Sequence, residues 1–142
     1  MSTDILLKIH LFAVAFWFGI LGAELVIERT RTRSAAHSQA VATQHYWIDL
    51  VFETPAFMTA LITGLLLIQP DQTSLVYWAK VACGLTAVAG NVACTLAIIK
   101  RKSASDASNR SEVIRHSLFV DRLSAIAAPA GLMALLLAAF CI

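Results

Sequence analysis

The chain has 142 residues, of which 58% are hydrophobic and 14% charged, whereas soluble domains carry about 25% charged residues. With a mean hydropathy of +0.73, this composition argues against a water-soluble fold, and its few glycines and prolines exclude collagen-like, linker-like and disordered chains. The net charge of +2 is small and dispersed, so no nucleic-acid partner is expected. We expect a membrane protein whose main partner is the lipid bilayer.

Four segments are long and apolar enough to cross a bilayer, which takes about 20 residues. They are predicted at residues 5–28, 45–68, 74–99 and 113–141. The connection 29–44 lacks glycine and proline, so it is predicted to continue helically beyond the bilayer, as is 111–116, whereas 69–73 is a short turn. Because the spans use nearly the whole chain, we predict one domain over residues 1–142, an all-α integral membrane four-helix bundle.

Basic residues mark one side of this bundle. They are Arg29, Arg31 and Arg33 after the first span, and Lys100, Arg101, Lys102, Arg110 and Arg115 around the connection between the third and fourth. The positive-inside rule places both connections in the cytoplasm and both termini on the outer, periplasmic side. Two aromatic pairs, Tyr46-Trp47 at the inner and Tyr77-Trp78 at the outer interface, agree with this topology. We expect a multi-pass protein of a bacterial inner membrane.

The three cysteines lie singly in apolar runs and form no C-x-x-C pair. They are Cys83, Cys94 and Cys141. Neither a disulfide framework nor a thiolate metal site is therefore expected, and we interpret the cysteines as small core residues.

Ionisable side chains inside spans cost about 2.5–3.5 kcal/mol each and usually face the bundle interior. Helical spacing places those of the first two spans on single stripes. The stripes are His10, Trp17, Glu24 and Glu28 in the first span, and His45, Asp49 and Glu53 in the second. The third span carries Lys80 and Asn91 on one face, and the fourth carries Glu112, His116, Asp121 and Arg122.

A rise of about 1.5 Å per residue places most of these polar groups about 5 to 15 Å below the cytoplasmic face. The buried carboxylates are Glu24, Asp49, Glu53 and Asp121. Only one buried cation, Arg122, is predicted, and we interpret it as the ion-pair partner of Asp121. The remaining deficit of positive charge predicts protonation or a bound cation.

Carboxylates with one or two imidazoles suit iron, manganese or zinc, and four-helix bundles build di-metal sites from such side chains. The candidate ligands are Glu24, His45, Asp49, Glu53 and His116, and iron or manganese is favoured. The spacing differs from the Glu-x-x-His pattern of soluble di-iron proteins, so the similarity is one of chemistry. Alternatively, His45 is a solvated helix-end residue, and Asp49 and Glu53 form interhelical hydrogen bonds.

Several short motifs resemble one known family. They are Lys8-Ile9-His10, Trp17-Phe18 with a following glycine, Thr54-Pro55-Ala56 with Gly64-Leu65-Leu66, Trp78-x-Lys80, and Arg122 preceding Pro129. Together they resemble the HemJ-type protoporphyrinogen oxidases and, more widely, the CopD-like membrane proteins. The resemblance implies a bundle that binds haem b and oxidises or reduces a tetrapyrrole or another hydrophobic substrate, with His10 and Lys80 as cofactor-binding residues. Asn91 stands where that pattern has a further histidine, and the carboxylates are not part of the pattern, which favours a different cofactor.

Three functions are compatible with these residues. The favoured one is a membrane-embedded metal-binding redox protein acting on a lipid-soluble substrate, such as a quinone or a tetrapyrrole, with HemJ-like oxidation as its alternative. The second is a proton or metal-ion transporter, whose path a homodimer would help to assemble, although no inverted repeat is evident. The third is an assembly subunit, which does not explain uncompensated carboxylates.

Overall fold

The computed structural model describes residues 2–31 and 34–139, so Arg33 and Cys141 lie outside the described residues. Its elements are α1 (Thr3–Glu28), α2 (Ala35–Ile48), a π-helical turn (Asp49–Glu53), α3 (Thr54–Leu66), α4 (Leu75–Asp106) and α5 (Arg110–Ala139). Helix α2, the π-helical turn and α3 form one continuous rod. With α1, α4 and α5 this rod gives four helices that are long and apolar enough to cross a membrane. The predicted all-α architecture with four helices of membrane-spanning length and hydropathy is therefore confirmed over this part of the chain.

Three helices extend further than their predicted spans. The rod begins at Ala35, α4 continues to Asp106, and α5 begins at Arg110. No glycine or proline interrupts these polar extensions, so the helical hydrogen bonds continue into them. The predicted helical connection 29–44 is correct from Ala35 onwards but not at residues 29–31, which form a turn after the end of α1 at Glu28. The hydroxyl of Ser34 caps α2 by accepting from the His37 N–H at 3.1 Å.

The two ends of the bundle differ in chemistry. At one end, which we call the loop end, the turn between α3 and α4 is held by the two aromatics at the start of α4. Trp78 Nε1 donates to the carbonyl of Gln72, and the Gln69 N–H donates to the hydroxyl of Tyr77, both at 2.8 Å. The opposite end, which we call the basic end, carries Arg31 and Arg101.

Small residues set the distance between helices. Helices α4 and α5 pack along each other, α1 packs on α3, and α2 packs on α4. A Cβ added to Gly90 on α4 would lie 2.6 Å from the Cβ of Ala127 on α5. One core cluster surrounds Trp17 and Phe57 in the middle of the bundle, and a second surrounds Ile98 towards the basic end.

Substituting Gly90 by Ala is expected to destabilise the protein, because the added methyl group forces α4 and α5 apart. Overpacking typically costs about 1–3 kcal/mol. Gly84→Ala is the matched control, since its Cβ would meet nothing within 4 Å while helix propensity rises by the same amount in both variants. Unfolding in mixed detergent micelles measures the difference. Equal stability of the two variants would contradict the close α4–α5 contact.

Candidate metal centre

The π-helical turn Asp49–Glu53 presents two carboxylates to the bundle interior. The N–H of Thr54 donates to the carbonyl of Asp49, five residues back, which widens the helix at this point. Pro55 follows directly, and it lacks an N–H and crowds the preceding turn. Such single π turns are frequent at functional sites. Asp49 and Glu53 are only 1% and 2% exposed.

His45, at the end of α2, is oriented by Glu28 of α1. Its Nδ1 lies 2.5 Å from Glu28 Oε1, which also accepts from Arg101 Nη1 at 2.6 Å. Arg101 Nη2 is 3.0 Å from the same Nδ1. Because a guanidinium has no lone pair, it cannot accept a hydrogen bond from an N–H at Nδ1. The contact with the carboxylate therefore places the proton on Nδ1, and Arg101 bonds to Glu28.

The other ring nitrogen of His45 faces two carboxylates. Its Nε2 lies 3.2 Å from Asp49 Oδ1 and 3.5 Å from Glu24 Oε2. Neither oxygen of Asp49 has a hydrogen-bond partner among the described residues, and Glu24 Oε1 also lacks one. Leaving buried carboxylate oxygens without donors is costly, so this pocket requires a cation or protons.

The three side chains fit a metal ion. One ligand atom from each of Glu24, His45 and Asp49 lies within 4.8 Å of the others. The distances of 3.2 and 3.5 Å from His45 Nε2 to the two carboxylates are close to the separation of about 3.3–3.6 Å between tetrahedral ligands with bonds of about 2.0–2.2 Å. Metal-bound histidines usually donate their second N–H to a carboxylate, which fixes the tautomer, and Glu28 accepts that bond here. We refer to Glu24, His45 and Asp49 as the triad.

The other two predicted ligands lie outside the triad. Glu53 is one turn beyond Asp49, and its Oε1 accepts from Trp17 Nε1 at 3.1 Å. His116 lies on α5 and its Nε2 is 3.4 Å from Glu112 Oε2. The structure therefore brings together three of the five predicted ligands, with Glu53 continuing the same stripe towards the loop end.

The buried cation is Arg101, and the prediction of a buried Asp121–Arg122 pair is wrong. Arg101 is 1% exposed, whereas Asp121 and Arg122 are both exposed. Asp121 bonds to Arg31 at 2.9 and 2.5 Å. This carboxylate, reinforced by Glu28, raises the pKa of Arg31, which therefore stays charged.

A sequence signal for Arg101 existed. It continues the buried stripe of α4, which is Asn91, Cys94, Ile98, Arg101 and Ser105, with alternating spacings of three and four. The predicted third span ends at residue 99, which leaves Arg101 in the connection to the fourth span. Because the helix continues to Asp106, the stripe carries Arg101 inside.

The predicted charge deficit survives this correction. Glu28 is neutralised by Arg101 and Arg31, and Arg31 also neutralises Asp121. Glu24, Asp49 and Glu53 form no ion pair with a lysine or arginine among the described residues, and His45 is their nearest basic group.

A cavity of about 670 Å³ occupies the half of the bundle towards the loop end. It brings together the two residues singled out by the family resemblance, His10 and Lys80. His10 Nδ1 lies 3.0 Å from both the carbonyl of Ala60 and the hydroxyl of Thr63. Trp17 lines the cavity as well, so its bond to Glu53 connects the cavity wall to the carboxylate stripe.

No family model, curated protein or solved structure matches this chain. The resemblance to HemJ-type and CopD-like proteins therefore stays a prediction.

Replacing Arg101 by Met is expected to destabilise the protein by about 3–5 kcal/mol, because Glu28 would lose a buried charge partner. Arg122→Met is the matched control and should change stability by less than about 0.5 kcal/mol, since Arg122 is exposed. Detergent unfolding of both variants gives the comparison. A larger loss of stability in Arg122→Met than in Arg101→Met would instead identify Arg122 as the buried cation.

Proposed function

We propose that this chain is a membrane-embedded metal-binding protein of redox type, in which the triad holds an iron or manganese ion and the substrate is lipid-soluble. One observation carries the proposal: Asp49 Oδ1, which has no hydrogen-bond partner in the described part of the chain, and Glu24 Oε2 lie 3.2 and 3.5 Å from the Nε2 of a histidine whose Nδ1 proton is held by Glu28. A cation at this point would satisfy all three side chains.

The ligand chemistry supports a borderline-to-hard metal. Two carboxylates and one imidazole suit iron, manganese or zinc, and of these iron and manganese change oxidation state. When bound, such an ion would supply one-electron chemistry. Glu53, next to the triad and hydrogen-bonded to Trp17, would hold or release a proton as the charge of the site changes.

The cavity supports access from the membrane. Its volume of about 670 Å³ falls in the range of small-molecule sites, about 300–1,000 Å³. The indole of Trp17 separates the cavity from Glu53. A lipid-soluble substrate, such as a quinone, would therefore approach the metal centre from the loop-end side without passing through water.

Metal analysis tests this proposal. The protein is purified in mild detergent without chelator, and bound metal is measured by elemental analysis. Asp49→Asn is expected to lower bound iron or manganese at least tenfold, because an amide is a weaker ligand than a carboxylate at a nearly isosteric position. Asp121→Asn removes an exposed carboxylate of α5 and should retain the metal.

The remaining outcomes discriminate the alternatives. Wild-type protein without stoichiometric metal, or Asp49→Asn with undiminished metal, would contradict the proposal. Metal-dependent uptake into liposomes by protein that retains no metal in detergent would instead favour a transporter. Absence of both bound metal and transport would favour an assembly subunit.

Haem b bound by His10 is a second candidate, as the family resemblance implies. It is favoured by one observation: His10 lines the cavity, and its Nδ1 is held at the carbonyl of Ala60, which leaves Nε2 as the free nitrogen. Under this candidate, purified protein shows a Soret band that His10→Ala abolishes and His116→Ala preserves. This candidate would be excluded if the purified wild-type protein is colourless and if adding haem to it does not change the absorption spectrum of the haem.

A further inference from the structure

We propose that the cavity at the loop end binds a single-chain anionic amphiphile of the long-chain carboxylate class, with its head group on Lys80 and its chain directed towards Trp17. This inference deepens the proposed function, since it rests on that function for the role of the molecule as substrate. The binding itself requires no metal.

The shape of the cavity favours a long, narrow ligand. On α1 its lining runs from Thr3 to Trp17, which corresponds to about 21 Å at 1.5 Å per residue. Aliphatic side chains dominate the wall, among them Leu7, Leu11, Val14, Leu61, Leu65 and Leu85. An extended hydrocarbon chain would bury its surface against them.

The charge of the cavity favours an anionic head group. Lys80 and His10 line it, and none of the described lining residues is an aspartate or glutamate. Lys80 is half-buried and forms no ion pair among the described residues, and its ammonium lies 4.7 Å from the ring centre of Tyr77. An unpaired cation in a low-dielectric wall is costly, and an anion offsets this cost more fully than a neutral head group, because it adds charge pairing to the hydrogen bond.

Polar groups at the mouth complete an amphiphilic site. Thr3, Gln69, Gln72 and Ser74 line the cavity near the loop-end turn, and Lys80 lies one to two turns further in. The head group would therefore lie at the interfacial level and the chain below it. A free carboxylate and the phosphate of a lysophospholipid offer the same chemistry to Lys80, so the test distinguishes these two sources.

Equilibrium binding of radiolabelled oleate to chelator-treated, detergent-purified protein provides the test. Lys80→Met is expected to weaken oleate binding about tenfold, while Lys8→Met, an exposed lysine paired with Asp4, should bind like the wild type. Unlabelled methyl oleate, with the same chain but no charge, should compete poorly. Strong competition by lysophosphatidylglycerol but not by lysophosphatidylcholine would support the proposal with the phosphate as the source of charge.

Filling the cavity tests its location without changing charge. Gly84 lines the cavity, and a Cβ there would meet nothing within 4 Å, so Gly84→Leu extends into it without displacing a neighbour at its root. This variant should lose oleate binding. Gly22→Leu is the matched control, because Gly22 also has open space around it and does not line the cavity.

Two results would overturn the inference. One is equal oleate affinity in wild type, Lys80→Met and Gly84→Leu, and the other is equally strong competition by methyl oleate. Because the protein is stripped of metal beforehand, oleate binding by protein that never binds iron or manganese would leave this inference standing while the metal centre fails. Stoichiometric metal without oleate binding would support the metal centre and overturn the present inference.

Discussion

The carboxylate of Glu28 joins the helices at the basic end, and the geometry of the triad depends on it. One of its oxygens accepts from Arg101 on α4 and contacts His45 on α2, and the other accepts from Arg31, which continues to Asp121 on α5. Ion pairs shielded from water persist only when every charge has a partner. This network therefore fixes the rotation of α2, and with it the direction in which the His45 ring points.

Trp17 divides the interior into two regions of opposite charge. Towards the basic end lie the buried carboxylates of the triad and Glu53, and towards the loop end lies a cavity lined by Lys80 and His10. The indole belongs to both regions, because its ring faces the cavity and its N–H donates to Glu53. In a low-dielectric bundle such charges act on each other over longer distances than in water. An anion bound in the cavity and a cation bound at the triad would thus each offset the charge of its own half of the bundle.

Local periodicity predicted the stripes that contain the triad among five candidate ligands, whereas the assignment of the buried cation required tertiary information. Glu24 and the pair His45 and Asp49 each follow helical spacing within one span, so their stripes could be recognised from the sequence. Whether Arg101 or Arg122 faces inward depends on where α4 ends and on how α5 is rotated. That rotation depends on contacts between helices, such as the close approach of Ala127 on α5 to Gly90 on α4. The π-helical turn was also beyond sequence reasoning, because a proline can equally kink or end a helix.

The contrast within one polar cluster argues for function at the triad. A purely structural network would satisfy its buried atoms, as Glu28 does with both of its oxygens. Glu24, one turn before Glu28, and Asp49 are more deeply buried than Glu28, yet three of their four oxygens lack donors among the residues that the structure describes. Protons would remove part of the charge, whereas a single cation could bond to all three side chains at once. The Nδ1 proton of His45, held by Glu28, leaves the lone pair of Nε2 for that bond.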